Sequence, residues 1–284
     1  MIRQIKLTSE FAAVPYLPST SLWKRHQSRG LKLSLAKPNV VIGPNGSGKT
    51  SLLTLLSLQT LTYFTGATAL DDNYTRGLDA DKWWSERTWS RGPEFLPGAK
   101  FDTDNAPALF YRPGHLAGNE DNVATAMMVG YFEEARAFGN AVKARSSGQG
   151  CQALLSHIRS ALGGPVSDLA YSFVNWSGGK ALRDISSSGW VGPWDYRAEV
   201  LKARMLAVPA SGIPMLILDE PEQSLDTRTE LELWNTLANT DCASRQVVVA
   251  THSLYPILYP DRFNLIEAEK GYAAEIRKQL SSSH

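Results

Sequence analysis

The chain has 284 residues, of which 43% are hydrophobic and 20% are charged, and its 29 Lys and Arg residues nearly balance its 28 Asp and Glu residues. These proportions are those of an ordinary globular protein and exclude a disordered or fibrous chain. A net charge of +1 provides no global attraction to nucleic acid or to an anionic membrane. No apolar run approaches the roughly 20 residues of a membrane-spanning helix, so we expect no membrane insertion.

The N-terminal segment MIRQIKLTSEF alternates apolar and polar residues. This alternation predicts a strand, and the segment lacks the apolar core of a signal peptide. The two cysteines, Cys151 and Cys242, have no metal-ligand spacing. Such cysteines are typical of free thiols in a reducing compartment, and we therefore expect a cytoplasmic protein.

A complete phosphate-binding motif follows an apolar strand predicted at Asn39 to Ile42 and precedes an amphipathic helix. Glycines in this motif let backbone N–H groups converge on phosphate oxygens at the N-terminus of the helix. The lysine is expected to contact the β- and γ-phosphates of a nucleotide, and the threonine hydroxyl to bind Mg²⁺. The motif and the helix residue after it comprise Gly43, Pro44, Asn45, Gly46, Ser47, Gly48, Lys49, Thr50 and Ser51.

Two short serine-glycine stretches occur in the middle of the chain. The first, Ser146 to Gly150, leads into CQALLSHIRSAL, a segment that can form a helix. Its small residues would then expose N–H groups and a hydroxyl at a helix N-terminus, where they can bind a phosphate. The second, Ser177 to Gly179, lies in a turn-rich segment flanked by tryptophans, which favours a β-hairpin.

Two buried strands are predicted in the C-terminal third, and each ends in ionisable residues. The first strand, Met215 to Leu218, is followed by Asp219 and Glu220. Asp219 can hold Mg²⁺, and Glu220 can polarise an attacking water molecule. The second strand, Gln246 to Ala250, is followed by His252. A lone histidine after a strand is more often a structural cap, but its order after the other two motifs favours a catalytic role.

Taken in order, GPNGSGKT, LILDEP, SLD and VVVATHS resemble the Walker A, Walker B, D-loop and switch-histidine elements of the ATP-binding cassette (ABC) ATPases. Within that class, the chain looks most like the small stand-alone bacterial ATPases often described as AAA or ABC-type. The resemblance includes IRQIKL, ALFYRPGHLAGNEDNVAT and ILYPDRFNLIEAE, and it omits about 67–105 and 163–197. It implies a P-loop NTPase fold with Lys49, Glu220 and His252 as catalytic residues.

The resemblance also favours one of the two serine-glycine stretches. In these relatives the signature motif resembles Ser-His-Gly-Glu-Ser and leads directly into a helix. Ser146 to Gly150 occupies that place here, and we predict that Ser147, Gly148 and Gln149 contact the nucleotide bound by a partner subunit. The literal Ser-Gly-Gly at 177–179 lies nearer the Walker B strand, the usual spacing in transporters, and is the alternative.

Two departures from the family pattern leave roles open. The glutamine that links Mg²⁺ to the helical lobe is absent from ALFYRPGHLAG, so Arg112, His115 or a water-mediated contact would have to replace it. An aromatic residue that stacks on adenine normally precedes the phosphate loop. Tyr16 and Trp23 are both candidates, and the sequence does not choose between them.

The predicted architecture is an α/β core with a mixed sheet flanked by helices, formed by residues 1–66 and 198–284. Residues 67–197 would form an inserted helical and β-hairpin lobe that carries the signature. The tryptophans of this lobe, such as Trp83 and Trp190, would supply its core or a partner-binding surface.

The resemblance implies Mg²⁺-dependent ATP hydrolysis in a head-to-tail homodimer that forms on ATP binding. Hydrolysis would then drive a conformational change in a protein partner, in DNA transactions or in defence against phage, and nucleic acid is a further candidate partner. One alternative is the cytoplasmic ATPase subunit of an ABC transporter. The other is a low-turnover regulatory module of a toxin or effector pair.

Overall fold

A computed structural model of the protein describes residues 1–9, 11, 14, 16–59, 98–104, 108–111, 215–223 and 225–282. Within these residues, two β-sheets are flanked by helices in a mixed α/β architecture. Most of the predicted inserted lobe, including both serine-glycine stretches, lies outside the described residues.

The described part of the chain contains eight strands and five α-helices. The strands are β1 (Ile2–Leu7), β2 (Leu31–Lys32), β3 (Asn39–Ile42), β4 (Ala99–Thr103), β5 (Ala108–Tyr111), β6 (Met215–Asp219), β7 (Gln246–Ala250) and β8 (Asn264–Glu267). The helices are α1 (Ser21–His26), α2 (Lys49–Gln59), α3 (Thr227–Ala238), α4 (Tyr255–Leu258) and α5 (Tyr272–Ser282), and 3-10 turns occur at Leu17–Ser19 and Pro260–Arg262.

Five strands form a parallel sheet in the order β5-β6-β7-β3-β8. Strands β3, β6 and β7 are buried at every position, as their continuous apolar sequences predict for strands covered on both faces. Because the strands run in one direction, their carboxyl ends lie at the same edge of the sheet. The segments that follow β3, β6 and β7 therefore meet at that edge.

The other three strands form an antiparallel sheet in the order β2-β1-β4. Gln246, the first residue of β7, joins this sheet to the parallel one. Its side chain accepts a hydrogen bond from the Ile2 N–H (2.7 Å) and donates one to the Ile2 carbonyl (2.6 Å). Gln246 is buried, so both bonds are shielded from water.

Two hydrophobic cores cover the faces of the parallel sheet, because alternate side chains of a strand point to opposite faces. Val41 and Val248 belong to the first core, together with residues of the antiparallel sheet, α1 and α2. Val40 and Val249 belong to the second core, together with residues of α3, α4 and α5. The sheet is therefore the middle layer, and only its edges remain for a site.

Several predicted elements are confirmed. The strands expected at Asn39 to Ile42 and at Gln246 to Ala250 have those bounds. The segment TRTELELWNTLA forms α3. The helix begins where it does because Asp226 Oδ1 accepts hydrogen bonds from two N–H groups of its first turn, at 3.0 and 3.1 Å.

The predicted mixed sheet is in fact two sheets, one parallel and one antiparallel, as far as the structure describes the chain. Strands β4 and β5 fall inside the predicted lobe at 67–197, yet they pair with β1 and β6. Strand β4 therefore belongs to the antiparallel sheet, and strand β5 belongs to the parallel sheet. The remainder of the predicted lobe lies outside the described residues.

Candidate functional site

The predicted phosphate loop connects the carboxyl end of β3 to the N-terminus of α2. Gly46 and Gly48 have φ angles of +73° and +101°, which residues with a side chain rarely adopt. A Cβ atom at Gly48 would also lie 2.5 Å from Thr20 Oγ1. Glycine at this position therefore satisfies the backbone conformation and lets the segment before α1 approach the loop closely.

Lys49 places an ammonium group within this loop. The residue is buried, and its Nζ donates hydrogen bonds to the carbonyl oxygens of Gly43 (2.9 Å) and Pro44 (3.0 Å). Burial lowers the pKa of Lys49, while three nearby carboxylates, chiefly Glu220, oppose that change. An anion that enters the loop would find a cation whose hydrogen bonds, among the described residues, go to neutral carbonyls.

Thr50 and Asp219 form an oxygen pair beside the loop. Thr50 Oγ1 donates to Asp219 Oδ1 over 3.3 Å, and Asp219 is fully buried at the end of β6. A hydroxyl and a carboxylate fit Mg²⁺, which prefers oxygen ligands and takes the others from substrate phosphates and water. Among the described residues, no group of three or more His, Cys, Asp or Glu side chains could hold a metal ion. The pair supplies two oxygen ligands and leaves the other positions of an octahedral Mg²⁺ to further ligands.

Glu220 and His252 follow the adjacent strands β6 and β7, and their side chains face each other. His252 Nε2 lies 3.6 Å from Glu220 Oε1, farther than a hydrogen bond. Glu220 has a φ of +48°, and its N–H donates to the Ala250 carbonyl at 2.8 Å. A left-handed backbone costs a residue with a side chain roughly 1–2 kcal/mol. Strain of this kind clusters at functional sites.

The charge state of His252 follows from its surroundings. Partial burial and the positive charge of Lys49 lower its pKa, and Glu220 opposes this effect. The imidazole is therefore neutral at pH 7, with one nitrogen that donates a hydrogen bond and one that accepts. A neutral donor beside a carboxylate can contact a phosphate without neutralising that carboxylate.

These side chains border a cavity of about 450 Å³. Tyr16 lines this cavity with 52% of its surface exposed, whereas Trp23 is only 3% exposed and belongs to the first hydrophobic core. Of the two predicted aromatic candidates, only Tyr16 is thus available to a ligand. The cavity is lined by Tyr16, Ser19, Thr20, Ser21, Asn45, Gly46, Ser47, Gly48, Lys49, Thr50, Ser51, Glu220 and His252.

Some predicted site residues lie outside the described residues, namely Ser147, Gly148, Gln149, Arg112 and His115. The signature motif therefore stays a prediction, and so does the alternative site at 177–179.

Two residues near the site, Thr20 and Glu222, were not among the predicted site residues. Thr20 caps α1, because its Oγ1 accepts a hydrogen bond from the Trp23 N–H (3.3 Å), and it packs against Gly48. A threonine directly before SLWKRH is the available signal for this cap. Glu222 accepts hydrogen bonds from Thr251 and His252. Its only signal is a third acidic residue immediately after Asp-Glu-Pro.

No protein-family model and no curated protein matches the chain. In the part of the chain that the structure describes, no helix has the length and apolar character needed to cross a membrane. The functional assignment therefore depends on the residues and geometry of the site itself.

Proposed function

We propose that the protein binds and hydrolyses ATP as a P-loop ATPase of the ABC type. The observation that carries this proposal is that Lys49, Glu220 and His252 line one cavity although three distant segments supply them. Thr50 lines the same cavity and hydrogen-bonds to Asp219. A cation, a pair of metal-binding oxygens, a carboxylate that can act as a base and a neutral imidazole are groups that phosphoanhydride hydrolysis uses.

Each group has a distinct role in this proposal. Lys49 and the loop N–H groups bind the β- and γ-phosphates. Glu220 orients the attacking water and accepts its proton, and His252 donates a hydrogen bond to the γ-phosphate. When Mg²⁺ is bound by Thr50 and Asp219, it neutralises phosphate charge.

Adenine recognition is assigned to Tyr16. Its half-exposed ring borders the cavity and belongs to neither hydrophobic core, so it can stack on a base without disturbing the packing of the cores.

The full site is proposed to need two chains. Ser147, Gly148 and Gln149 of one subunit would contact the γ-phosphate bound by Lys49 of the other, in a head-to-tail homodimer that forms on ATP binding. The resulting movement would act on a protein partner, with DNA transactions or phage defence as the setting. This part of the proposal depends on the resemblance of the motifs.

Substitution of Glu220 tests the chemistry. Glu220→Gln preserves shape and removes the base, so turnover should fall by about 10²-fold or more while the Kd for ATP stays within about twofold. Lys49→Ala should instead weaken binding by about tenfold or more, because a charge-assisted contact to phosphate is lost. Glu232→Gln, an exposed carboxylate on α3, is the matched control. Undiminished hydrolysis by Glu220→Gln would refute the role of Glu220.

Sedimentation and mixing experiments test the dimer. ATP should shift Glu220→Gln protein toward a dimer, because a ligand that bridges two subunits stabilises their association. Ser147→Arg and Lys49→Ala should each be inactive alone. Their mixture should regain activity, since a mixed dimer keeps one intact site. A monomer at saturating ATP, or a mixture without activity, would contradict the shared site.

Turnover with and without a partner distinguishes the proposed ATPase from its alternatives. Steady-state hydrolysis by the isolated chain, measured with and without duplex DNA, separates an active ATPase from a low-turnover module. A membrane protein that copurifies with the chain would instead favour the transporter subunit.

A further inference from the structure

Glu222 lies in the turn after β6 and contacts the loop after β7, which is 29 residues away in the sequence. Its Oε1 accepts hydrogen bonds from Thr251 Oγ1 and from the backbone N–H of His252, the latter at 3.1 Å. One carboxylate oxygen thus holds two consecutive residues of the neighbouring loop. The contact joins the loop that carries Glu220 to the loop that carries His252.

The other side of the His252 loop is held as well. Thr251 Oγ1 accepts a hydrogen bond from the Ser253 N–H at 2.8 Å. Ser253 Oγ donates to Glu230 of α3 and accepts from the Tyr255 N–H at 3.2 Å. Thr251 and Ser253 are buried. The backbone on both sides of His252 is therefore held by hydrogen bonds, whereas its imidazole lines the cavity.

The buried carboxylate of Glu222 lowers the stability of the fold, which indicates that this residue has a function beyond packing. Glu222 is only partly covered as a residue, but its Oε2 is buried, and no donor among the described residues reaches it. Burial raises the pKa of Glu222 to about 7; the bond from Thr251 opposes this change, and the charge of Glu230 adds to it. A buried carboxyl with one unsatisfied oxygen destabilises a fold. An apolar residue would avoid that cost but could not accept the two bonds.

We propose that Glu222 is a positioning residue for the hydrolytic reaction, because it fixes the loop at 251–253 so that His252 faces Glu220 across the γ-phosphate site. This inference rests on the proposed ATPase function. Glu222 itself does not line the cavity. It acts through His252, whose ring lies 3.6 Å from Glu220.

The first test is a double-mutant cycle that combines Glu222→Ala with His252→Ala. Glu222→Ala should lower kcat by about 10- to 100-fold, because misplacing a reacting group by about 1 Å can cost that much, and should leave the Kd for ATP within about twofold. In the His252→Ala background, the same substitution should cause no further loss. Glu222→Gln keeps an acceptor oxygen at the same place and should retain most of the wild-type kcat. The proposal would be overturned if the losses of kcat caused by Glu222→Ala and His252→Ala multiply in the double variant. It would also be overturned if Glu222→Gln lost as much kcat as Glu222→Ala.

A second measurement does not depend on hydrolysis. Hydrogen exchange at the His252 amide should accelerate by tenfold or more in Glu222→Ala, while exchange at Val248 in the middle of β7 should stay unchanged. If wild-type protein shows no turnover but exchange behaves in this way, the ATPase assignment fails and the positioning contact stands. Unchanged exchange at His252 would refute the contact itself.

A third variant keeps the test decisive if Glu222→Ala does not fold. Thr251→Val removes the hydroxyl that donates to Glu222 and preserves side-chain volume. It should also lower kcat with little effect on ATP binding, and in the Glu222→Gln background its effect should be the same as in wild type. Full activity of Thr251→Val would count against the proposal.

Discussion

The raised pKa of Glu222 makes a quantitative prediction about stability and pH. Burial raises this pKa from 4.5 to about 7. Between these values the folded state keeps a proton that the unfolded state has released, so the free energy of unfolding falls as pH rises. At about 1.36 kcal/mol per pKa unit, the interval from 4.5 to about 7 corresponds to roughly 3 kcal/mol. Water reaches part of the residue, so we expect between about 1 and 3 kcal/mol.

Urea unfolding of wild type and Glu222→Gln, followed by circular dichroism from pH 4 to pH 9, measures this effect. Glutamine keeps the shape and does not titrate, and all other titrating groups cancel in the difference between the two proteins. Relative to the variant, wild type should lose stability between about pH 4.5 and pH 7 and stay parallel to it above about pH 8. If the difference in the free energy of unfolding between the two proteins did not depend on pH, the raised pKa of Glu222 would be refuted. A gain in wild-type stability with rising pH would mean that the pKa is lowered.

Glu267 offers a matched control of opposite sign. Burial favours a raised pKa for Glu267, but hydrogen bonds from the N–H groups of Gly271 and Ala273 and the contact with Arg25 outweigh it, and the pKa is lowered. Its stabilising contribution is therefore present above about pH 4.5 and lost as pH falls. Relative to Glu267→Gln, wild type should gain stability as pH rises through this lower range.

Three further predictions concern the contact between the two sheets, the phosphate loop and the aromatic residue proposed to stack on adenine. Gln246→Ala removes both hydrogen bonds between the sheets and leaves two buried backbone groups unpaired, so urea unfolding should show a loss of about 2–4 kcal/mol. Gly48→Ala should lose more stability and more ATP affinity than Gly46→Ala, because both have positive φ but only the first would clash with a neighbouring side chain; equal losses would contradict this. Tyr16→Ala should weaken ATP binding by about tenfold without unfolding the protein, whereas Trp23→Ala should cost about 3–5 kcal/mol of stability by emptying a core position; a reversed pattern in titration and melting experiments would reassign the stacking residue.

Local sequence was sufficient for the elements of the core. The strands β3 and β7, the loop between β3 and α2, and the start of α3 all follow from residues within a few positions of one another. A glycine-rich turn, an apolar run and an N-cap each act over less than two helical turns. Contiguous motifs of this kind therefore predicted Lys49, Thr50, Asp219, Glu220 and His252 as site candidates, and the structure brings all five together.

The boundary of the inserted lobe could not be found in the same way. Strands β4 and β5 are short, and their partners β1 and β6 lie about a hundred residues away. Nothing in a strand's own sequence specifies a partner at that distance, because pairing depends on which chain segments fold together.

The functional groups of the site can be predicted from the amino-acid sequence, since each motif carries its groups on adjacent residues. The tertiary structure distinguishes Tyr16, which borders the cavity, from Trp23, because burial of the Trp23 ring in the first core depends on packing against distant strands. It alone also identified Glu222, whose carboxylate meets Thr251 only when β6 and β7 lie side by side in the sheet. Contacts across a sheet join residues that no sequence pattern relates, because the chain between them can take any path.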